Sequence, residues 1–338
     1  GMLRWLLVVL VALVLRAAPA MAVDVVDATG RTVAIPDEIH RVLPAGPPAA
    51  VLLAALAPDL MLGWPHAPGE HAAEFLPNAV AHLPEVPAVA VGSDGGDAVA
   101  ALHPDLILDY GSTDPRYTER AEQTQARTGV PTLLMDGRLA FTPLALRVLG
   151  RALHRESRGE ELAQIAEGVL ASVRHGATHH RVVYVRSDGG HVLVTGGNNS
   201  EALEFLGWRI LAPPPHPGEA ARASFRAASP EEIAALDPDI LLFADPAMRA
   251  RVLQSEAWRG VRAVREGHAW TVPAAPFGWI EEPPSLNRLL GLAWLADGEP
   301  HPGVVPLAAV FNAAVYGRTP TPAQIDALRA SLLPITPP

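Results

Sequence analysis

The 338 residues are 49% apolar and carry a net charge of −10, and all 26 basic side chains are arginine, because the chain contains neither lysine nor cysteine. Schiff-base chemistry and the Gly-Lys-Ser/Thr phosphate loop are therefore excluded, as are disulfides and a lipid-bearing cysteine, and the acidic balance argues against nucleic acid or an anionic membrane as partner. The length exceeds what one core comfortably organises, so two domains are expected.

Residues 2–22 read as a cleaved signal peptide: Arg4, an apolar run from Trp5 to Leu15, and the small-residue site Ala20-Met21-Ala22. That run ends at Arg16, well short of the about 20 residues a spanning helix needs. Export without a lipid anchor points to the periplasm. Beyond the leader, the pattern divides into an N-terminal α/β lobe (23–142), a helical connector (143–178) and a C-terminal α/β lobe (179–338).

Val23 to Ile35 alternates around Thr29-Gly30 and predicts a hairpin. A strand at Arg41 to Leu43, a proline-rich loop and an apolar helix over Ala49 to Ala57 follow. Gly63 to Pro87 has little periodicity and reads as a long loop with a short helix near His71 to Phe75. Ala100 to Leu108 then nearly repeats at Ala234 to Leu242, with a constant offset of 134. Each copy ends a helix, breaks at Pro-Asp and enters an apolar run of the kind buried on both faces of a parallel sheet. A polar helix (Tyr117 to Thr128) and a strand (Thr132 to Met135) complete the first lobe. Pro143 to His175 is helical almost throughout and predicts one stiff connecting helix. The second lobe opens with Val182 to Val185 and turns at Asp188-Gly189-Gly190 into His191 to Val194. The capping box Thr321 to Gln324 predicts a terminal helix over Ala323 to Leu332.

Catalytic signatures are missing: there is no Gly-x-Ser-x-Gly elbow, no dinucleotide glycine fingerprint and no His-Glu-x-x-His helix. No catalytic residue, cofactor or resident metal is expected. The one competing chemistry is the loop holding His66, Glu70, His71 and His82, which would suit a secreted zinc-dependent hydrolase or a free-metal carrier if those side chains converged. His103 and Asp237 occupy the same repeat position and read as surface residues.

Two similar lobes leave a cleft, and residues just past the C-terminal ends of parallel strands face such crevices. Tyr110 and Phe243 are candidates on that ground, with Trp64 and Trp279 from flanking loops. For each aromatic, core packing is the alternative. Arg138 and Arg186, at strand ends, suit a carboxylate or oxyanion. Asn198, in Thr195-Gly196-Gly197-Asn198-Asn199, would add donors at an anion seat.

The segment Pro276-Phe277-Gly278-Trp279-Ile280-Glu281-Glu282-Pro283-Pro284-Ser285-Leu286-Asn287-Arg288, continuing into an apolar helical stripe, resembles the corresponding part of class III periplasmic binding proteins. Asp27 to Val33 is similar to that family's opening hairpin, and Trp258 to Val264 with Gly267-His268-Ala269 to its late strand entry. The resemblance implies an α/β fold of two Rossmann-like lobes with central parallel sheets, joined by a single long interlobe helix, with small hinge motion. It implies a monomeric solute-binding protein, not an enzyme, that passes its ligand to an ABC permease. It also implies docking carboxylates at Asp97 and Glu231, again 134 apart, although the family usually has Glu where this chain has Asp97. A metal chelate or similar compact anionic complex is the expected ligand, a ferric siderophore first, with cobalamin, haem and molybdate or tungstate as alternatives.

Overall fold

The computed structural model describes residues 22–89, 96–173 and 179–338; the leader, except Ala22, lies outside them. Strands β1 (Ala22–Val26) and β2 (Thr32–Pro36) form the antiparallel hairpin, with Val25 opposite Val33. Its turn is organised by the buried Asp27, whose carboxylate takes the Thr29 hydroxyl and the Arg31 guanidinium at 2.9 Å. The same carboxylate accepts the Leu134 amide at 3.2 Å, so one side chain both closes the turn and docks the hairpin on the first sheet.

That sheet is parallel, in the order β3 (Val42–Pro44), β4 (Leu106–Gly111), β5 (Thr132–Asp136). Helix α1 (Pro47–Leu56) follows β3 and is buried along almost its whole length. The second sheet repeats the arrangement: β6 (Arg181–Val185) pairs in parallel with β10 (Ile240–Phe243), which pairs in parallel with β11 (Ala269–Thr271). It differs on its other side, where β7 (His191–Leu193) and β9 (Phe225–Ala227) run antiparallel and β8 (Arg209–Ile210) adds to β6, so this sheet is mixed.

The sequence repeat is a repeated clamp. In the first copy the Asp105 carboxylate accepts the amides of His40 and Arg41 at 2.7 and 2.9 Å, while Arg41 Nη2 donates to the Leu102 carbonyl at 2.6 Å. In the second, Asp239 accepts the Arg181 amide at 2.9 Å, and Arg181 donates to the carbonyls of Leu236 and Asp237 at 2.7 and 2.8 Å. His103 and Asp237 both end their helices at φ 49, a left-handed cap that exposes carbonyls for the arginine to take. The Pro-Asp pair thus stops a helix and pins the neighbouring strand at once.

Alternation along the strands sorts the core. Leu106, Leu108 and Tyr110 of β4 join Val182 and Tyr184 of β6 and Ile240 and Leu242 of β10 in one cluster that runs through both lobes. Their neighbours face away: Ile107 packs with Val99 and Val130, and Val183, Leu241 and Phe243 pack with Trp258 and Val264.

The helical run from Pro143 is divided. Helix α2 (Thr142–Ala152) ends at Leu153, His154 takes φ 55, and α3 (Glu156–Ser172) folds back on it before leading to the second lobe. A Cβ on Gly159 would lie 2.7 Å from the Leu146 carbonyl oxygen and one on Gly150 would lie 3.1 Å from Gly159 Cα, so the crossing depends on two bare backbones. Arg147, bonded to Glu160 at 2.7 Å and to Glu167, ties the pair on the outside. The connector is therefore the single helix α3, braced by α2.

The C-terminal segment braces both lobes. After α4 (Arg288–Leu295), helix α5 (Val305–Tyr316) packs on α1; its Asn312 donates to the Phe75 carbonyl at 3.0 Å, and Arg318 donates to Leu76 at 2.8 Å. The terminal helix α6 (Pro322–Ser331) has the expected capping box, and beyond it the Ile335 amide bonds to Ala269 of β11.

Gly291, in α4, sits against the Trp279 carbonyl, where a Cβ would come within 2.0 Å of the oxygen. Gly291→Ala should therefore destabilise the fold by about 3 kcal/mol or more, because backbone must move. Gly168→Ala, on the exposed face of α3 with nothing near the new methyl, should stabilise by about 0.5–1 kcal/mol. Thermal unfolding of the two variants should move in opposite directions; a Gly291→Ala protein as stable as the parent removes the close-packing account.

Candidate functional site

A cavity of about 560 Å³ opens between the lobes, within the size range of small-molecule sites. The first lobe supplies Pro47, Pro48 and Val51 from the opening turn of α1, and the loop Trp64 to Gly69 with Ala72. The second lobe supplies Arg186 and Asn199, with Pro276, Phe277 and Glu281 to Pro284. Seven of these residues are prolines.

Trp64 is held by its own polar tip: the indole Nε1–H donates to the Val80 carbonyl at 2.9 Å, and the ring tilts toward Phe277 at 5.9 Å between centroids. A Cβ on the preceding Gly63 would lie 2.2 Å from the Pro84 oxygen, so the loop approaches Pro84 closely there and carries Trp64 to the cavity edge. Across the gap, the loop from Pro276 to Pro283 is closed tightly, with the Gly278 amide bonded to the Glu282 carbonyl and no room for a side chain at Gly278, where a Cβ would meet the Glu281 oxygen at 1.8 Å. Glu282 takes φ 70. This closure turns two adjacent carboxylates inward.

Glu281 is 1% exposed and accepts the Tyr184 hydroxyl at 2.7 Å. Burial, reinforced by the neighbouring Glu282 charge, pushes its carboxyl up to about 7. The Tyr184 hydroxyl is held well above its ordinary value, first by burial and then by the two carboxylates. Glu282 lies closer to solvent, with Ser187 Oγ 2.8 and 2.6 Å from its two oxygens and Arg186 Nε at 3.6 Å. The Arg186 guanidinium also stacks over Phe225 at 3.9 Å.

Of the residues expected at the cleft, Trp64 and Arg186 line the cavity. Asn198 does not, although the next residue, Asn199, does. Tyr110 is 1% exposed, with its hydroxyl 3.3 Å from Thr142 Oγ1, and burial raises its pKa. Phe243 is fully buried edge-on against Trp258, because alternation along β10 turns it to the face away from the shared cluster. Trp279 is 1% exposed, is not in the cavity lining, and packs edge-on to Trp294 at 6.0 Å. Arg138 is committed to Asp136 at 2.7 Å and lies over Phe141. These four are placed in packing or local pairing.

Asp97 and Glu231 are both exposed, each in the first turn of a helix, at matching places before β4 and β10. His66 stands on the cavity rim, but His71 leans on Phe75 and His82 bonds to the Asn78 carbonyl. Among the described residues, no three His, Asp or Glu side chains are placed to share a metal ion. Phe277, Glu281, Glu282 and the proline pairs belong to the site without having been singled out. Their signal was the doublets Pro47-Pro48, Glu281-Glu282 and Pro283-Pro284, the last two beside an aromatic segment.

The raised Glu281 carboxyl has a defined linkage. The folded chain binds that proton more tightly than the unfolded chain, so the stabilisation is complete below about 4.5 and is lost as pH rises through about 7. Thermal stability should fall across that interval, and Glu281→Gln should flatten the profile there; an unchanged slope in the variant would place the titration elsewhere.

Residues 80–276 match the family profile described as periplasmic binding protein. Comparison with curated protein sequences gives no match. Among solved structures, an ABC transporter solute binding protein from Sulfurospirillum deleyianum superposes with a TM-score of 0.78 at 21% identity, covering 90% of this chain and 98% of that one. The molybdate-bound periplasmic protein MolA of Haemophilus influenzae gives 0.65 at 16% identity, covering 88% and 99%. Helicobacter pylori CeuE, in a complex titled Ni-His, gives 0.60 at 15%, covering 91% and 99%. At these identities the structures speak for the fold, and the profile match, over more than half the chain, speaks for the family. The chain belongs to the periplasmic binding protein family.

Proposed function

We propose that the chain is the solute-binding component of an ABC importer. It works in the periplasm after removal of its leader, carrying a compact metal chelate, a ferric siderophore first, to an inner-membrane permease. The observation that carries this reading is the interlobe cavity of about 560 Å³, with Trp64 and Phe277, packed on each other at 5.9 Å, in its lining. Such a space suits a ligand with apolar faces and is larger than a bare oxyanion requires. Two proteins of similar fold carry metal-containing ligands in their titles, molybdate for MolA of Haemophilus influenzae and Ni-His for CeuE of Helicobacter pylori. The chain acts as a monomer, and its role is capture and delivery.

Lobe division follows the same reading: residues 23–142 and 179–338 form the walls and 143–178 the link between them. Asp97 and Glu231 are the docking pair. Their exposure on equivalent helices, one per lobe, supports contact with paired basic residues of a permease.

A thermal-shift screen against ferric siderophores, haem, cobalamin, molybdate and free divalent metals tests the ligand. A true ligand at a hundredfold excess over Kd stabilises by about 2.7 kcal/mol. Ferric chelates should give that shift, and Trp64→Ala or Phe277→Ala should weaken it by at least about tenfold, near 1.4 kcal/mol. A shift with free zinc alone would replace the reading with a metal carrier. Asp97→Arg combined with Glu231→Arg should leave ligand affinity unchanged and stop uptake by cells; undiminished uptake would remove the docking assignment.

A further inference from the structure

The charges on the cavity wall point to the charge of the ligand, an inference that rests on the cavity being the ligand site. Among the described residues, the ionisable side chains lining it are His66 on the rim, Arg186, Glu281 and Glu282. Arg186 has Glu282 beside it, 3.6 Å from its Nε, and the face of Phe225 beneath its guanidinium. Its positive charge is thus offset by an adjacent carboxylate and is not presented alone to an anion, the setting in which arginine captures carboxylates and oxyanions best. With Arg186 and Glu282 cancelling, Glu281 leaves the wall neutral when protonated and negative when ionised.

Amide donors are scarce on the same surface. The opening turn of α1 faces the cavity, and the positive end of a helix ordinarily attracts anions through its free N–H groups. Here its first two residues are Pro47 and Pro48, which have no N–H to give. Pro65, Pro68, Pro276, Pro283 and Pro284 remove further donors from the lining. Apart from Asn199, His66 and the offset Arg186, an anion entering this space would exchange water for carbon and meet carboxylate, a desolvation compensated only in part.

We infer that the cavity selects metal chelates of zero or positive net charge and rejects anionic chelates and bare oxyanions, with Glu282 setting that preference by neutralising Arg186. A neutral or cationic ligand departs from the anionic one expected from arginine positions in the sequence, since Arg138 is paired with Asp136 and Arg186 lies beside Glu282.

The test is calorimetric titration of the mature chain at neutral pH with four probes: a cationic ferric trihydroxamate, a neutral ferric trihydroxamate, a trianionic ferric tricatecholate and molybdate. The trihydroxamates should bind and the two anions should not. Glu282→Gln, which removes the charge offsetting Arg186, should raise affinity for the tricatecholate relative to the neutral chelate by about tenfold or more. Should that variant fold poorly, Arg186→Gln gives the complementary reading: it adds net negative charge and should tighten the cationic chelate relative to the neutral one. Equal binding of the tricatecholate and the neutral chelate, both lost in Trp64→Ala, keeps the site and overturns the charge rule. Chelate binding indifferent to Trp64→Ala overturns the site itself, and no binding by any chelate overturns the metal-chelate reading together with this one.

Discussion

Arg288 is a guanidinium at 1% exposure, and an arginine is costly to keep there unless its charge is paired and hydrogen-bonded. Nε donates to the Ser285 carbonyl at 3.0 Å and Nη2 to Gly137 of the first lobe at 2.7 Å, while Nη1 makes no hydrogen bond and is paired through charge with Glu201 at 3.5 Å. Glu201 in turn accepts the Leu139 amide from the first lobe, and burial raises its carboxyl against the pull of Arg288. Ser285 Oγ reaches the Pro48 carbonyl at 3.2 Å, and Asn287 holds the Phe277 carbonyl while accepting the Tyr316 hydroxyl. Residues 285–288 therefore stitch the second lobe to the first at two places and anchor the loop that walls the cavity. Losing one partner of this buried pair would strand a charge, the costly kind of disruption. The placement of α4, the contact of Gly291 with Trp279 and the closure of the Gly278 loop all follow from that seam.

The repeated clamps explain why the lobes look alike where they do. Arg41 with Asp105 and Arg181 with Asp239 fix the same strand against the same helix end, which sets the order β3, β4, β5 and its counterpart β6, β10, β11. The likeness stops where this constraint stops. Beyond β6 the chain turns at Asp188, whose carboxylate takes the amides of Gly190 and His191, and β7 runs back antiparallel.

The fold was legible where local chemistry decides it: the hairpin at Thr29-Gly30, the Pro-Asp breaks, the strands after them and the terminal capping box. The break at His154 was not, because the apolar period continues through it and the fold-back depends on Gly150 meeting Gly159 across two helices. Side-chain direction was the harder limit. Both faces of these parallel strands are buried, so an apolar run does not tell which residues face the cleft. Tyr110 and Phe243 went to the core for that reason. Trp64 was legible because it lies in a loop with little periodicity. Nothing in the sequence says which way Glu281 and Glu282 point, and the tight turn at Gly278 brings them to the cavity.

The proline-rich lining has a thermodynamic meaning apart from its lack of donors. Each proline enters the folded state with φ already fixed, so this surface has little backbone freedom left to lose when a ligand arrives. Occupancy then draws almost nothing from the binding free energy for ordering the receptor, and affinity reflects the contact itself. The same stiffness removes the means by which adaptable loops accommodate unlike guests. A binding surface built this way trades breadth for tightness, since a stiff wall favours a narrow repertoire of similarly shaped ligands.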